Sequence, residues 1–343
     1  MKRYFFMLLA MSFLTSCADK IYKVAYPTLA DGKYDSEFPY KDCSKQLAEI
    51  VETVKMINAT AFYKTYTFAE KSQIKIKDIS EAVLKEKSIQ TVFPHSSVVG
   101  TATVIYSQDN RVALLTCAHI IDFPDTMLSY YSKEENGSGY IQSISIKDRQ
   151  INFIKDLPEG GELEILAHDE SQDIAILGRK FDHTPETKIA VFNYPIGKSK
   201  DLNWGTFIYI VGYPMGYKMI TKGTVSSPNR DKKGSFLTDA SFNRGFSGGI
   251  ILAIRDGVPN FELVGMAKSV PANYSYVLTP SKEFELSEYS PSIPYEGNTY
   301  VELKTDLKYG ITNSISTESI SDLIKKNRQT FIDKGYLIES LFP

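Results

Sequence analysis

The sequence predicts a mainly β protein, with helices only before and after a long series of strands. From about residue 88 onward, short apolar runs are bounded by turn residues, which is typical of an all-β sandwich or barrel. Tyrosine (22 residues) and phenylalanine (19 residues), which strands favour, are plentiful. Strong turn signals at 135–139 (ENGSG) and 158–161 (PEGG) separate some of these runs.

Length and charge limit the classes of function. The chain has 343 residues, enough for one large or two modest domains. Its formal net charge is −2, so no broad attraction to nucleic acid or to an acidic membrane surface is expected.

Residues 1–17 are predicted to be a targeting segment rather than part of the fold. Two cations precede an apolar run from Tyr4 to Leu14, which is too short to span a bilayer as a helix. The following Thr15, Ser16 and Cys17 complete a stretch that resembles a bacterial lipobox. The resemblance implies that Cys17 is lipidated and anchors the protein in the bacterial cell envelope. The alternative is an ordinary secretory peptide with a chance cysteine.

Residues 18–87 are predicted to be a tether followed by a small α/β extension that packs on the next unit. Residues 18 to about 40 are turn-rich. A helix is then predicted from about Ser44, because apolar residues recur at helical spacing. These residues are Leu47, Ile50, Val51, Val54 and Ile57. Residues 61–68 alternate like a strand, and 78–87 (DISEAVLKEK) predict a short helix.

The strand series runs from about residue 88 and ends in a predicted C-terminal helix. Its apolar runs include VVGTATVIYS, RVALLTCAH, LEILAHD, DIAILG, TFIYIVGYP and KGTVSS. After Ser316, helical spacing relates Ile320, Leu323, Ile324 and Phe331, and Gly335 suits the end of a helix. Residues 336–343 are expected to be a short tail.

Ser247, in the stretch NRGFSGG (243–249), is the candidate nucleophile. A serine hydroxyl needs a base within hydrogen-bond reach, and the base needs a group that fixes its tautomer. Of four histidines, His119 alone ends an apolar strand that opens into a loop. Asp173 opens another apolar strand and must be solvated, paired or hydrogen-bonded. Asp169 lies nearby and competes for the same role.

The order His119, Asp173, Ser247 and the surrounding motifs resemble the trypsin-like serine peptidases, and most closely the bacterial Deg/HtrA branch. TCAHI matches the motif around the base, HDESQDIAIL resembles the aspartate strand and favours Asp173 over Asp169, and NRGFSGG matches the nucleophile motif. VGYPMG with KGTVSS, LVGMA and YGITNSISTESISDLI resemble later elements in family order. The resemblance implies two six-stranded antiparallel β-barrels with a C-terminal helix over residues 88–335.

The resemblance also implies roles for the site residues. Ser247 would attack the scissile carbonyl of a protein or peptide substrate. His119 would take the proton of the Ser247 hydroxyl and pass it to the leaving amine, and Asp173 would hold the imidazole. The backbone N–H groups of Gly245 and Ser247 would form the oxyanion hole. Glycines suit such a turn because many residues with a Cβ cannot adopt it. No cofactor is implied.

The sequence departs from the family next to the nucleophile. Phe246 cannot form the ion pair by which a newly cut N-terminus activates trypsin, and it either supports the oxyanion loop or distorts it. Ser241 is expected near the base of the substrate pocket, which gives no basis for selecting arginine or lysine. The segment Ala267, Lys268 and Ser269 would run antiparallel to the substrate, with Lys268 near the pocket entrance. We expect small or aliphatic side chains at the cleavage site.

A long insertion over about 271–306 replaces the usual hairpin of the family. It is rich in tyrosine and proline, and it is expected to be either a flap over the cleft or a surface loop. No PDZ domain is expected after the last helix, so the oligomeric state stays open.

Cys43 and Cys117 are the two cysteines other than Cys17. They would either form a disulfide with each other or remain buried thiols. A cysteine or metal enzyme is disfavoured, because no further cysteine or histidine completes a ligand set with Cys117 and His119. Two hypotheses therefore stand. One is a lipid-anchored serine endopeptidase, and the other is a catalytically silent lipoprotein of the same fold that binds a protein or surface ligand.

Overall fold

The computed structural model describes residues 30–39, 41–131, 139–158, 161–280, 290–308 and 310–338. The predicted targeting segment, Cys17, most of the tether and the last five residues lie outside the described residues. So do most of the predicted turn at 135–139 and residues 281–289 of the insertion.

Four α-helices and sixteen strands make up the regular structure of the described residues. The helices are α1 (Ser44–Thr53), α2 (Glu81–Glu86), α3 (Thr317–Lys326) and α4 (Arg328–Asp333). The first eight strands are β1 (Val54–Phe68), β2 (Ser88–Val92), β3 (His95–Gln108), β4 (Arg111–Thr116), β5 (Thr126–Tyr130), β6 (Ile141–Phe153), β7 (Glu162–Asp169) and β8 (Ile174–Lys180). The remaining strands are β9 (Phe207–Gly212), β10 (Met219–Ser227), β11 (Phe236–Thr238), β12 (Ile250–Ile254), β13 (Phe261–Ser269), β14 (Ala272–Pro280), β15 (Thr299–Leu307) and β16 (Thr312–Ser316).

Two closed six-stranded antiparallel barrels confirm the predicted fold class. In the first barrel the strand order is β1-β3-β4-β8-β7-β6, and pairing of β1 with β6 closes it. Strands β2 and β5 extend it by pairing with β1 and β6. In the second barrel the order is β10-β11-β16-β13-β12-β9. Closure leaves the second barrel without an exposed strand edge, whereas β2 and β5 are the edge strands of the first sheet.

Strand β1 is an integral part of the first barrel, although the sequence places residues 54–68 in the N-terminal extension. It pairs with β3 and β6, and its residues alternate between buried and half-buried. The predicted helix through Ile57 is wrong beyond Thr53, where α1 ends and the backbone becomes extended. Val54 and Ile57 have helical spacing in the sequence, but both lie in β1. They are buried because this strand is part of the barrel. The short helix predicted near 78–87 is confirmed as α2.

The C-terminal helix is confirmed and packs back toward the first barrel. Ser316 caps α3 by accepting a hydrogen bond from the Ser319 N–H, and Gly335 ends the helical segment with φ +78°. Beyond it, the Tyr336 ring lies 6.0 Å from that of Tyr106 in β3. The Arg111 side chain of β4 donates a hydrogen bond to the Lys334 carbonyl at 3.0 Å.

The N-terminal strap, residues Ala30–Asp35, lies on the second barrel before the chain enters the first. Tyr34 is 6% exposed, forms a β-bridge with Arg255, and donates a hydrogen bond to Glu262 at 2.7 Å. Asp35 makes backbone hydrogen bonds to Ile254 and Phe207.

The predicted insertion contains a separate two-stranded hairpin of β14 and β15. One face carries large apolar side chains, which are between 53% and 79% exposed. These are Tyr274, Tyr276, Leu278, Val301 and Leu303. Within the described part of the chain, no helix is both long enough and apolar enough to cross a membrane.

Candidate active site

His119 and Asp173 are brought together by two neighbouring strands of the first barrel. His119 lies in the 3₁₀ turn Ala118–Ile120 that follows β4, and Asp173 immediately precedes β8, the partner of β4. The His119 Nδ1 atom is 2.9 Å from both Asp173 carboxylate oxygens, and the His119 backbone N–H donates to Oδ1 at 2.9 Å. An ionised carboxylate only accepts hydrogen bonds, so beside it Nδ1 is the donor, and in the neutral imidazole this leaves Nε2 as an acceptor.

The two competing carboxylates have different partners. Asp173 is 6% exposed and has φ +61°, a left-handed conformation that aspartate tolerates better than most residues. Asp169 instead closes the turn before Asp173, because its Oδ1 accepts from the Ser171 hydroxyl and the Gln172 N–H. The geometry therefore pairs Asp173, and not Asp169, with the imidazole.

Ser247 lies in the same cavity as His119, a cleft of about 680 Å³. Its hydroxyl donates a hydrogen bond to the Lys268 carbonyl at 3.0 Å, so within the described residues the hydroxyl points to β13 and not to the imidazole. The half-buried nucleophile loop follows β11 and leads into β12 of the second barrel. The cleft therefore lies where residues of both barrels meet.

Two glycines beside Ser247 are required by the backbone. Gly245 has φ +102° and Gly248 has φ +84°, conformations that side chains with a Cβ rarely adopt. A Cβ on Gly245 would clash with the Tyr213 carbonyl, and a Cβ on Gly248 would clash with the Thr101 carbonyl. The glycines thus fix the loop by close backbone contact instead of making it flexible.

The orientation of the peptide before Gly245 is set by a neighbouring loop. The Arg244 carbonyl accepts a hydrogen bond from the Met215 N–H at 2.7 Å. In a planar trans peptide, C=O and N–H point in opposite directions, so this bond turns the Gly245 N–H away from Met215. Within the described residues neither the Gly245 N–H nor the Ser247 N–H has an acceptor. Both donors are free to bind a ligand oxygen.

Phe246 supports this loop from inside the second barrel. It is 2% exposed, its ring lies 6.0 Å from that of Phe242, and it also packs against Gly212 of β9. An apolar anchor therefore occupies the place where an ion pair orders the site in trypsin. The ring is accommodated in the core, and the free N–H groups beside it are consistent with an undistorted loop.

Thr101 is a site residue that sequence reasoning missed. This fully buried residue of β3 donates its hydroxyl to the Gly245 carbonyl at 2.6 Å and accepts from the Tyr213 N–H at 2.9 Å. Its backbone N–H donates to the Ser247 carbonyl at 2.8 Å. The available signal was a threonine on the buried face of an apolar strand, which needs a hydrogen-bond partner.

The predicted substrate-pocket residues fall in different places. Ser269 lines the cleft with His119 and Ser247. Ala267 is fully buried, and its carbonyl accepts from the Gly248 N–H. Ser241 is exposed and does not line the cleft, whereas its neighbour Phe242 does.

Lys268 lies beside the imidazole–carboxylate pair. Its Nζ atom is 3.8 Å from Asp173 Oδ2, while its carbonyl holds the Ser247 hydroxyl. The Lys268 side chain is therefore close to the proposed reacting groups. Lys268 lines a second, polar pocket and is not among the residues that line the cleft of Ser247.

Both described cysteines are buried free thiols, the second of the two predicted alternatives. Cys117 is close enough to His119 and Asp173 for their ligand atoms to lie within 4.8 Å of one another. Burial, and secondarily the Asp173 carboxylate, raises the pKa of the Cys117 thiol well above its usual range. The thiol donates to the Ala267 carbonyl, and the Lys268 ammonium adds positive charge nearby. These properties disfavour a bound metal cation.

A family model matches the middle of the chain. Residues 100–266 match the family model of the trypsin-like peptidase domain. No curated protein matches the chain. Among solved structures the chain is similar to kallikrein-related peptidase 10, with 11% identity, a TM-score of 0.34, and coverage of 67% of this chain and 90% of that one. The matched segment spans β4, β8 and the nucleophile loop, so the family match and the barrels together support a trypsin-like peptidase domain in this protein.

Proposed function

We propose that the protein is a serine endopeptidase that hydrolyses polypeptides through Ser247, His119 and Asp173. The observation that carries the proposal is the hydrogen-bonded His119–Asp173 pair in one cleft with Ser247 and two unoccupied N–H donors. We propose further that this peptidase is most similar to the Deg/HtrA branch. The motifs TCAHI, DIAIL and GFSGG, which occur in this order, support that assignment.

The reaction would begin when the Ser247 hydroxyl leaves the Lys268 carbonyl and turns toward Nε2 of His119. Its oxygen attacks the scissile carbonyl carbon while its proton passes to Nε2. The oxyanion that forms accepts hydrogen bonds from the Gly245 and Ser247 N–H groups. The proton then passes to the leaving amine, and water hydrolyses the acyl-enzyme by the reverse sequence of proton transfers.

Asp173 would act as a positioning group throughout. It holds Nδ1 protonated, and its negative charge stabilises the imidazolium that forms when Nε2 takes the proton. Phe242, Val98 and Val270 give the cleft an apolar lining, which supports a preference for small or aliphatic side chains at the cleaved bond.

A fluorescent fluorophosphonate tests the nucleophile directly, because it reacts with an activated serine. We expect wild-type protein to be labelled and Ser247→Ala to be unlabelled. Ser269→Ala is a matched control, since that serine lines the same cleft without the nucleophile role, and its variant should still be labelled. Absence of labelling in the wild type, with and without added peptides, would contradict the proposal.

The second candidate is a catalytically silent protein that binds a protein or surface ligand through the same cleft. Two observations favour it: the Ser247 hydroxyl is engaged by the Lys268 carbonyl, and a hairpin with an exposed apolar face follows β13 directly. The labelling experiment separates the two, since a silent site would not react.

Anchoring to the bacterial envelope through a lipid on Cys17 is a further part of the proposal. Its support is the sequence of residues 1–17 alone. Cells fed labelled palmitate should incorporate it into the wild type and not into Cys17→Ala. Equal incorporation into both proteins would contradict the lipid anchor without affecting the proposed peptidase activity.

A further inference from the structure

A second pocket, of about 390 Å³, lies directly behind the backbone that holds the Ser247 hydroxyl. Lys268 and Ser269 form one of its walls, and Ser269 also lines the cleft that contains Ser247. Segments of β11 and β16, the start of α3, the loop after β10 and the turn before Asp173 form the remaining walls. A polypeptide lying along Ser269 would therefore pass from one pocket to the other within a few residues, at about 3.3 Å per extended residue.

The groups around this pocket are mainly hydrogen-bond donors. Lys268 and Arg230 are cationic. The Lys268 ammonium already lies 3.8 Å from Asp173 Oδ2, whereas none of the ion pairs of the described residues involves Arg230. The Gln172 oxygen accepts from the Ser319 hydroxyl at 3.1 Å, which leaves the amide N–H₂ to donate. The Ser269 hydroxyl accepts from the Asn313 side chain at 3.4 Å, which leaves its own proton to donate.

The acidic group of the pocket is already engaged within its own loop. The one acidic lining residue, Asp231, uses Oδ1 to accept from the Lys233 and Ser235 N–H groups within its own loop. Ser314 also lines the pocket, is 4% exposed, and has a hydroxyl with no partner among the described residues. The pocket thus combines positive charge with unmet hydrogen-bonding capacity, a combination suited to an anion.

We propose that this pocket binds the carboxylate of an acidic side chain that lies within a few residues of the cleaved bond of a polypeptide substrate. This inference rests on the proposed peptidase function, because it takes the occupant to be part of the chain that reaches Ser247. Arg230 is exposed, so its guanidinium can reach such a carboxylate without a change in the fold. The hydrogen bonds of Asp231 hold the loop that carries it.

The test begins with cleavage sites mapped by mass spectrometry in an unfolded protein. Peptides based on these sites then carry Glu or Gln at each of four positions on either side of the cleaved bond. We expect Glu to raise kcat/KM about tenfold over Gln at one position, as one charge-assisted hydrogen bond would. Arg230→Glu should abolish or invert this ratio, and Lys232→Glu, the matched charge reversal outside the lining residues, should preserve it.

A binding measurement separates failure of this inference from failure of the peptidase proposal. The full chain with Ser247→Ala is titrated with fluorescent hexapeptide pools that carry Glu or Gln at one fixed position. A Glu preference in binding without cleavage by the wild type would retain the anion pocket and overturn the peptidase. Cleavage with equal rates for Glu and Gln at every position, or equal effects of Arg230→Glu and Lys232→Glu, would overturn the anion pocket alone.

Discussion

Thr101 joins the first barrel to two loops of the second. Its hydroxyl bridges the Gly245 carbonyl and the Tyr213 N–H, and its backbone N–H holds the Ser247 carbonyl. Because all three bonds are buried, the loop that carries the proposed nucleophile depends on a strand that belongs to the other barrel.

Thr101→Val should therefore lower both stability and reactivity. The variant keeps the side-chain shape and leaves a buried carbonyl and N–H without partners, at a cost of about 1–3 kcal/mol. We expect a lower free energy of unfolding in urea and slower fluorophosphonate labelling. Thr103→Val is the control in the same strand. The Thr103 hydroxyl is buried and has no partner among the residues that the structure describes, so its loss should be neutral or stabilising. Equal destabilisation of the two variants would contradict this role of Thr101.

Phe246 is expected to couple packing of the second barrel to reactivity of Ser247. Phe246→Ala removes a buried ring and should cost about 3–5 kcal/mol of stability. Phe181→Ala removes an equally buried ring in the first barrel and should cost a similar amount. At low temperature, where both variants are folded by circular dichroism, only Phe246→Ala should be labelled more slowly. Equal labelling rates would show that Phe246 fills space without positioning the loop.

At the scale of elements, the β14–β15 hairpin is paired only with itself among the described strands. Its base is closed by a hydrogen bond from the Lys308 N–H to the Pro271 carbonyl at 2.8 Å. Because neither barrel pairs with its strands, the hairpin should be dispensable for folding.

Deleting residues 272–307 and joining Pro271 to Lys308 through two glycines should leave the barrels folded. We expect the melting temperature to change by only a few degrees, because little core is lost, and the binding of a hydrophobic dye to fall with the exposed apolar face. As a control, replacing Tyr274 and Tyr276 by serine should lower dye binding without shortening the chain. A large fall in melting temperature would mean that the hairpin packs on a barrel.

The sequence allowed the strand-rich fold, the C-terminal helix and the candidate triad to be predicted, because each depends on local pattern or on motifs of a known family. It did not reveal that β1 closes the first barrel, because Val54 and Ile57 are spaced like residues on one face of a helix, whereas strand residues three positions apart lie on opposite faces. The role of Thr101 was not predictable either, since its partners lie more than 100 positions away in the chain. The anchoring of Phe246 likewise depends on contacts between distant segments.

For the whole molecule, the N-terminal strap carries a buried acid at the second barrel. Asp35 is 6% exposed, one carboxylate oxygen accepts from the Gly257 N–H at 3.0 Å, and the other has no partner among the described residues. Burial raises the pKa of Asp35 to about 6 from an ordinary value of 3.8. The ionised form is therefore disfavoured in the folded protein.

Ionisation of Asp35 should weaken the folded state as pH rises from about 4 to about 6. Above that range the carboxylate is ionised in both states. Its charge is hydrated in the unfolded chain but buried in the folded protein, so ionisation lowers the free energy of unfolding. The free energy of unfolding of Asp35→Asn minus that of the wild type should increase between pH 4 and pH 7, by on the order of 2 kcal/mol. Asp256→Asn, a change at an exposed neighbouring acid, is the control. A difference that does not vary with pH would contradict the prediction.

Near each limit of the described residues, a tyrosine contacts the barrel that its nearest strands do not build. Tyr34 docks on the second barrel just before β1 begins the first, and Tyr336 reaches the first barrel after β16 completes the second. The two barrels are thus connected by a contact on each side, one before the first strand and one after the last. Neither half, expressed by itself, would contain everything that covers its own surface.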